Sequence, residues 1–160
     1  MPSNLLWSPK NKDTILRKFL LNNKKKIKDN SYTALHDWSI NNKEDFWSSI
    51  WDFTEIIGEK KEPIIQNEKN FIDSKFFTKS KLNFTENLIQ NSYTDNDAIV
   101  FFSENKYKKK LSWKDLRVKV NKISSYFKKI NINKGDRIAG ILPNIPETVI
   151  SFLATAKIGA

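Results

Sequence analysis

The spacing of apolar positions changes near residue 95. Before it, large apolar side chains recur at helical intervals; after it, short continuous apolar runs alternate with helical ones. Residues 3–31 hold one amphipathic stretch that Asp13 or Thr14 can cap, with Ile15 and Phe19 on one face and Leu16 and Leu20 beside them. It runs out in the polar NNKKKIKDN, and is expected to dock on its own domain rather than on a membrane surface. Asn42 is suited to cap a second helix, whose first turn holds Glu44 and Asp45, carboxylates favoured at the positive end of the dipole. Phe46, Ile50 and Phe53 form one stripe, Trp47 and Trp51 another, so this helix is expected to bury two faces. Gly58 supplies a stop for it. The same rings could stack bases or sugars, but rings at helical spacing are far more often core.

Residues 59–75 are polar, with Pro63 and a short strand expected at Ile64–Ile65. Thr85 with Glu86 close behind marks a helix start, and residues 85–90 are expected to be helical. The run AIVFFSEN from Ala98 predicts a buried strand, and KYKKKLSW a return strand through a hairpin at Glu104–Lys106. Ser112 then caps a helix whose face is Leu116, Val120, Ile123 and Phe127, ending near Ile130. A further strand is expected at Arg137–Leu142, ended by Pro143. Asn144 can cap a last helix with Pro146 and Glu147 in its first turn and Gly159 as its stop. Small residues at Ala154 and Ala156 would let it lie close on a sheet.

Strand and helix in alternation predict the α/β class: a helical N-terminal segment, then the first strand–helix units of an incomplete parallel sheet. The expected division is residues 1–94 and residues 95–160. The last helix reads as a crossover toward a strand beyond Ala160, so the chain is expected to be a fragment.

Composition narrows the chemistry. The 160 residues contain no cysteine and one histidine, which excludes a disulfide framework and a thiolate metal site. His36 has no nucleophile near it in sequence and reads as a hydrogen-bonded structural residue. The formal charge of +10 invites a nucleic-acid reading. However, 25 of the 28 basic residues are lysine, and only Arg17, Arg117 and Arg137 are arginine. Bidentate base readout prefers arginine, and lysines scattered among Asn and Ile read as solvated surface. No apolar run approaches the roughly 20 residues of a membrane span, and the N-terminus lacks the form of a signal peptide. A cytoplasmic protein with no nucleic-acid and no membrane partner is expected.

Few motifs carry chemistry. With four glycines, the chain has no G-x-G-x-x-G and no phosphate-cradling G-x-x-x-x-G-K-[ST]. Asp95 and Asp97 read as solvated loop charges. Only the LPNIPE turn, Leu142–Glu147, sits where a doubly wound fold places ligands, at the carboxyl end of a strand.

The order of short motifs is more specific. LHDWSINNKEDFWSSIWDF followed by KFFTKSKLNFTENLI resembles the N-terminal segment of acyl-CoA synthetases of the adenylate-forming, or AMP-binding, superfamily. More narrowly it resembles the acetoacetate–CoA ligase (acetoacetyl-CoA synthetase) branch, as does Leu6-Trp7-Ser8-Pro9. Leu111–Leu116, Gly135–Ala139, the LPNIPE turn and Ala156–Ala160 resemble later segments of the same superfamily. Phe76 stands where the family usually has Trp, Thr78-Lys79 where it has a Pro-Gly-like pair, and Phe84-Thr85 where it has Tyr-Ala.

The resemblance implies an ATP-dependent acid–thiol ligase acting in lipid or fatty-acid metabolism, with acetoacetate, ATP and CoA as small-molecule substrates and Mg²⁺ as cofactor. The acetyl- and propionyl-CoA synthetases are the alternative branch, and a basic nucleic-acid-binding module is the alternative class. The family's phosphate loop, nucleotide contacts, hinge and catalytic lysine all fall beyond Ala160. No catalytic, cofactor-binding or metal residue is therefore expected within residues 1–160. The expected partner is the remainder of the same polypeptide.

Overall fold

The computed structural model describes residues 13–90, 93–104 and 107–160. In chain order the elements are α1 (Ile15–Asn22), α2 (Tyr32–Asn41), α3 (Lys43–Phe53), β1 (Gly58–Glu59), β2 (Ile65–Gln66), β3 (Lys75–Phe76), β4 (Lys81–Leu82), α4 (Phe84–Ile89), β5 (Asp97–Phe102), β6 (Lys108–Ser112), α5 (Trp113–Lys129) and α6 (Pro146–Ile158). They divide into two compact units. One holds the described residues up to Ile56 together with Lys60–Ser80; the other holds Ile57–Glu59 and Lys81–Ala160. The Leu6–Pro9 motif and the tip of the expected hairpin at residues 105–106 lie outside the described residues.

The first unit is built on aromatic rings. Thr14 caps α1, its hydroxyl accepting from Arg17 N at 3.2 Å. Phe19 and Leu20 are buried, whereas Ile15 and Leu16, one turn earlier on the same face, are exposed. Phe19 packs against Trp38, Phe46 and Phe53, with ring centroids 6.5, 5.9 and 5.1 Å away. The other face of α3 meets the β2–β3 hairpin: Trp47 lies 5.2 Å from Phe76, and Trp51 lies 5.0 Å from Phe77. The five rings and aliphatic side chains of α3 thus serve two surfaces, as their spacing implied.

Two expected helix signals act differently. Asn42 precedes α3 without a side-chain cap bond; its amide instead donates to Trp38 O of α2. Gly58 does not stop α3, which ends at Phe53 with Thr54 as C-cap and Glu55 at φ 53°. Gly58 pairs with Leu82 across β1 and β4, where a Cβ would lie 2.6 Å from Lys81 O. The close approach of two backbones, which cannot be read locally, accounts for the glycine.

In the second unit the hairpin β5–β6, α4, α5 and α6 share one core of Ile89, Leu111, Leu116, Val120, Ile150, Leu153 and Ala154. Ser112 caps α5, accepting from Asp115 N at 3.1 Å, and Leu116, Val120, Ile123 and Phe127 all face this core. β5 is only half-buried: Ile99 faces the core, and Val100 and Phe102 face solvent. Its partner β6 covers one edge only, so the apolar run is not enclosed. α4 lies before residue 95 in sequence but packs on α6, within this second unit.

Mixed helix and strand is observed, in small sheets without closure. All three pairings among the described residues are antiparallel and two-stranded. Residues 137–142, expected as a strand, join no ladder, because no described strand lies alongside to exchange hydrogen bonds with them. Gly159 ends α6 in the left-handed region at φ 80°, as expected of a C′ glycine. Its carbonyl accepts from Gly135 N at 2.9 Å, so the start and end of the segment 135–159 are bonded together.

Candidate functional site

α6 organises the second unit, and its two ends differ. Its N-terminal end is the LPNIPE turn. Asn144 was the expected cap, but the N-cap position is Ile145 and no side chain caps the helix. Thr148 takes over locally: its hydroxyl donates to Pro143 O at 2.6 Å, closing the turn from inside the helix. Pro146 fills the first helical position, where its missing N–H costs nothing. Glu147 reaches Lys109 of β6 at 2.5 Å. The Lys109 ammonium beside it holds the Glu147 carboxyl below its usual range, and Glu147 in turn holds Lys109 above its own. Both side chains are well solvated, so this pair orients the turn more than it stabilises the fold.

The C-terminal end of α6 is held by the motif Leu82–Asn87. Asn83 works in two directions. Its Oδ1 accepts from Glu86 N at 3.0 Å and caps α4. Its Nδ2 donates to Ala156 O at 2.9 Å and Lys157 O at 3.2 Å, two carbonyls of the last turn of α6, where the i+4 donors run out. Thr85, which marked the helix start in the sequence, lies fully buried inside the first turn of α4, and its hydroxyl donates to Leu153 O at 2.8 Å. Asn87 grips the other side: Oδ1 accepts from Ile57 N at 2.8 Å, and Nδ2 donates to Ile57 O at 2.9 Å. Five hydrogen bonds from Asn83, Thr85 and Asn87 of one hexapeptide therefore tie α4 to α6 and to Ile57, the residue before β1.

The double role of Asn83 makes a sharp prediction. Asn83→Ala removes the cap and both bonds to α6, and should destabilise the second unit by about 1–2 kcal/mol in urea unfolding. Asn83→Asp keeps the cap of α4 but turns a carboxylate toward the negative end of α6. It should therefore be no more stable than the alanine variant. Wild-type stability in Asn83→Asp would show that the bonds to α6 contribute nothing.

Beside this clip, α4, α5 and α6 border a cleft of about 430 Å³ lined by Asn83, Glu86, Tyr93, Arg117, Asn121 and Lys157, among others. The guanidinium of Arg117 lies 3.8 Å from the centroid of the Tyr93 ring, and the Lys157 ammonium donates to Asn121 Oδ1.

The remaining sequence candidates do not converge. His36 is exposed, stacked on Tyr32 at 6.4 Å, with Asp37 Oδ1 at 3.8 Å as its polar neighbour rather than a hydrogen-bond partner. Asp97 is not a free loop charge: it lies in β5 and pairs with Lys110. Among the described residues no three His, Cys, Asp or Glu side chains gather as a metal site. No described helix is long and apolar enough to cross a membrane.

Residues 88–160 match the AMP-binding enzyme family. The acetoacetyl-coenzyme A synthetase of Rhizobium meliloti (strain 1021) is 37% identical over 129 residues, which is 81% of this chain and 20% of that protein. The acetoacetyl-CoA synthetase of Xenopus tropicalis is 33% identical over 168 aligned positions, covering 100% of this chain and 25% of its own.

Residues 88–160 thus resemble the AMP-binding enzymes, and the longer alignments are with acetoacetyl-CoA synthetases.

The fold agrees. The structure of acetoacetyl-CoA synthetase from Streptomyces lividans superimposes with a TM-score of 0.76 at 23% identity, over 92% of this chain and 24% of that one. The chain spans a fifth to a quarter of the length of these AMP-binding relatives. The clip residues Asn83, Thr85 and Asn87 were visible in the sequence only as part of a familiar motif. Their partners lie up to 74 positions away, beyond the reach of local spacing.

Proposed function

We propose that this chain is the N-terminal part of an ATP-dependent acid–CoA ligase, with acetoacetate as the acid. The observation that carries the reading is the alignment with acetoacetyl-CoA synthetases along the whole chain, at 33% identity in one case. In the reaction proposed, a carboxylate oxygen attacks the α-phosphorus of ATP, forming an acyl-adenylate and releasing diphosphate. The CoA sulfur then attacks the acyl carbon, a thioester forms, and AMP leaves with the bond electrons. Such chemistry depends on positioning and charge neutralisation.

In this proposal residues 1–94 are the helical N-terminal segment and residues 95–160 open the AMP-binding domain. The resemblance puts the family's phosphate loop, nucleotide contacts and catalytic lysine outside residues 1–160, so ATP, CoA and Mg²⁺ are assigned to the remainder of the polypeptide, which is also the chain's partner. The role proposed for this chain is structural support: the clip and core that hold α6 and the LPNIPE turn in place. Small molecules rather than nucleic acid are the proposed ligands, since Lys108, Lys109 and Lys110 are already engaged by Phe102, Glu147 and Asp97. A cytoplasmic location in short-acid or lipid metabolism goes with the same reading.

The gene beyond codon 160 tests this directly. A continuing frame that encodes a Thr- and Gly-rich loop followed by Lys supports the ligase. A stop codon at that point overturns it.

A further inference from the structure

The cleft between α4, α5 and α6 has no part in the proposed ligation. It lies beside the last turn of α6, at the opposite end of that helix from the LPNIPE turn. Its lining brings together two half-buried cations. Arg117 and Asn121 are one turn apart on α5 and therefore on one face. Lys157 comes from α6, and its ammonium is fixed by Asn121.

Both cations have ordinary explanations that the structure discounts. A lysine in the last turn of a helix commonly serves the terminal carbonyls. Here Asn83 already bonds Ala156 O and Lys157 O, and Thr85 bonds Leu153 O. The ammonium is directed at a side-chain amide instead. An arginine in such a position commonly pairs with a carboxylate, but among the described residues Arg117 forms no ion pair, and its guanidinium lies over the Tyr93 ring. Stacking occupies the face of a guanidinium and leaves its edge, with its fork of N–H donors, available for a planar or tetrahedral anion. Glu86 is the one carboxylate in the lining and is exposed. The cleft thus carries a net positive charge in a partly desolvated setting, where attraction for an anion exceeds that at an open surface.

We propose that this cleft binds a small phosphate-bearing anion, with Arg117 providing a bidentate fork and Lys157 a second charge. A volume of about 430 Å³ suits a single small molecule, not a polymer track. The proposal stands apart from the ligase reading: it concerns binding at this cleft and needs no catalysis.

The test is a titration of the ¹⁵N-labelled 160-residue chain with inorganic phosphate at constant ionic strength, chloride replacing phosphate in the control. Saturable shifts at residues 117, 121 and 157, absent with chloride, are expected. Arg117→Gln should weaken binding about tenfold or more, and Arg117→Lys, which keeps the charge but loses the fork, should also weaken it. Lys114→Gln, on exposed α5 surface outside the cleft, should leave it unchanged. AMP in a parallel titration separates the sources: tighter binding at the same residues identifies a nucleotide phosphate, and equal or weaker binding a free phosphate. If Arg117→Gln does not fold, Lys157→Gln asks the same question. Linear, non-saturating shifts in the wild-type chain, or saturable shifts that a folded Arg117→Gln or Lys157→Gln leaves intact, would overturn the proposal.

Discussion

Phe19→Ala is expected to destabilise the first unit by about 3–5 kcal/mol, the range for deleting a buried ring from a packed core. Phe19 is 4% exposed and touches three other aromatic rings, from α2 and α3. Truncation removes those contacts together and leaves a cavity that tilted and edge-on neighbours cannot refill without changing rotamer. Hydrogen exchange should show amides of α1, α2 and α3 losing protection together. Phe19→Leu, which restores much of the volume, should recover more than half the loss. A cost below about 1 kcal/mol for the alanine variant would mean that these rings do not form a cooperative core.

Leu153→Ala should have an effect of similar size in the second unit, about 2–5 kcal/mol by urea unfolding. Leu153 is 2% exposed in a core it shares with Leu116, Val120 and Ile150. Its carbonyl also receives the buried hydroxyl of Thr85. A cavity at this position disturbs both the core and the clip, so the variant should be non-additive with Thr85→Val. Strict additivity of the two would separate the clip from the core.

Elements governed by local periodicity were legible in the sequence. The α5 stripe Leu116, Val120, Ile123 and Phe127 faces the core as its spacing requires, and Ser112 caps that helix. The two-sided packing of α3 followed from five large side chains on two stripes, although Trp47 stays partly open to solvent. Features decided by distant segments were not legible. Gly58 reads locally as a helix stop, yet β4, more than twenty residues on, dictates its lack of a side chain. Asn144 has the chemistry of a cap, but Thr148 satisfies Pro143 O and the cap falls to Ile145. Thr85 marked the helix start to within a residue, but the cap is Asn83, and the Thr85 hydroxyl is turned into α6, whose Leu153 carbonyl no local pattern reveals. The cleft was invisible because Arg117 and Lys157 are 40 residues apart on helices whose packing brings them together.

The most direct measurement is AMP release by the polypeptide encoded by the whole gene, with ATP, CoA and a panel of acetate, propionate and acetoacetate, alongside the 160-residue chain alone. AMP release from the whole polypeptide that requires both CoA and acetoacetate, and none from the 160-residue chain, is the predicted result. Acetoacetate-dependent AMP release by residues 1–160 alone, or no acid-dependent release by the whole polypeptide, would contradict it.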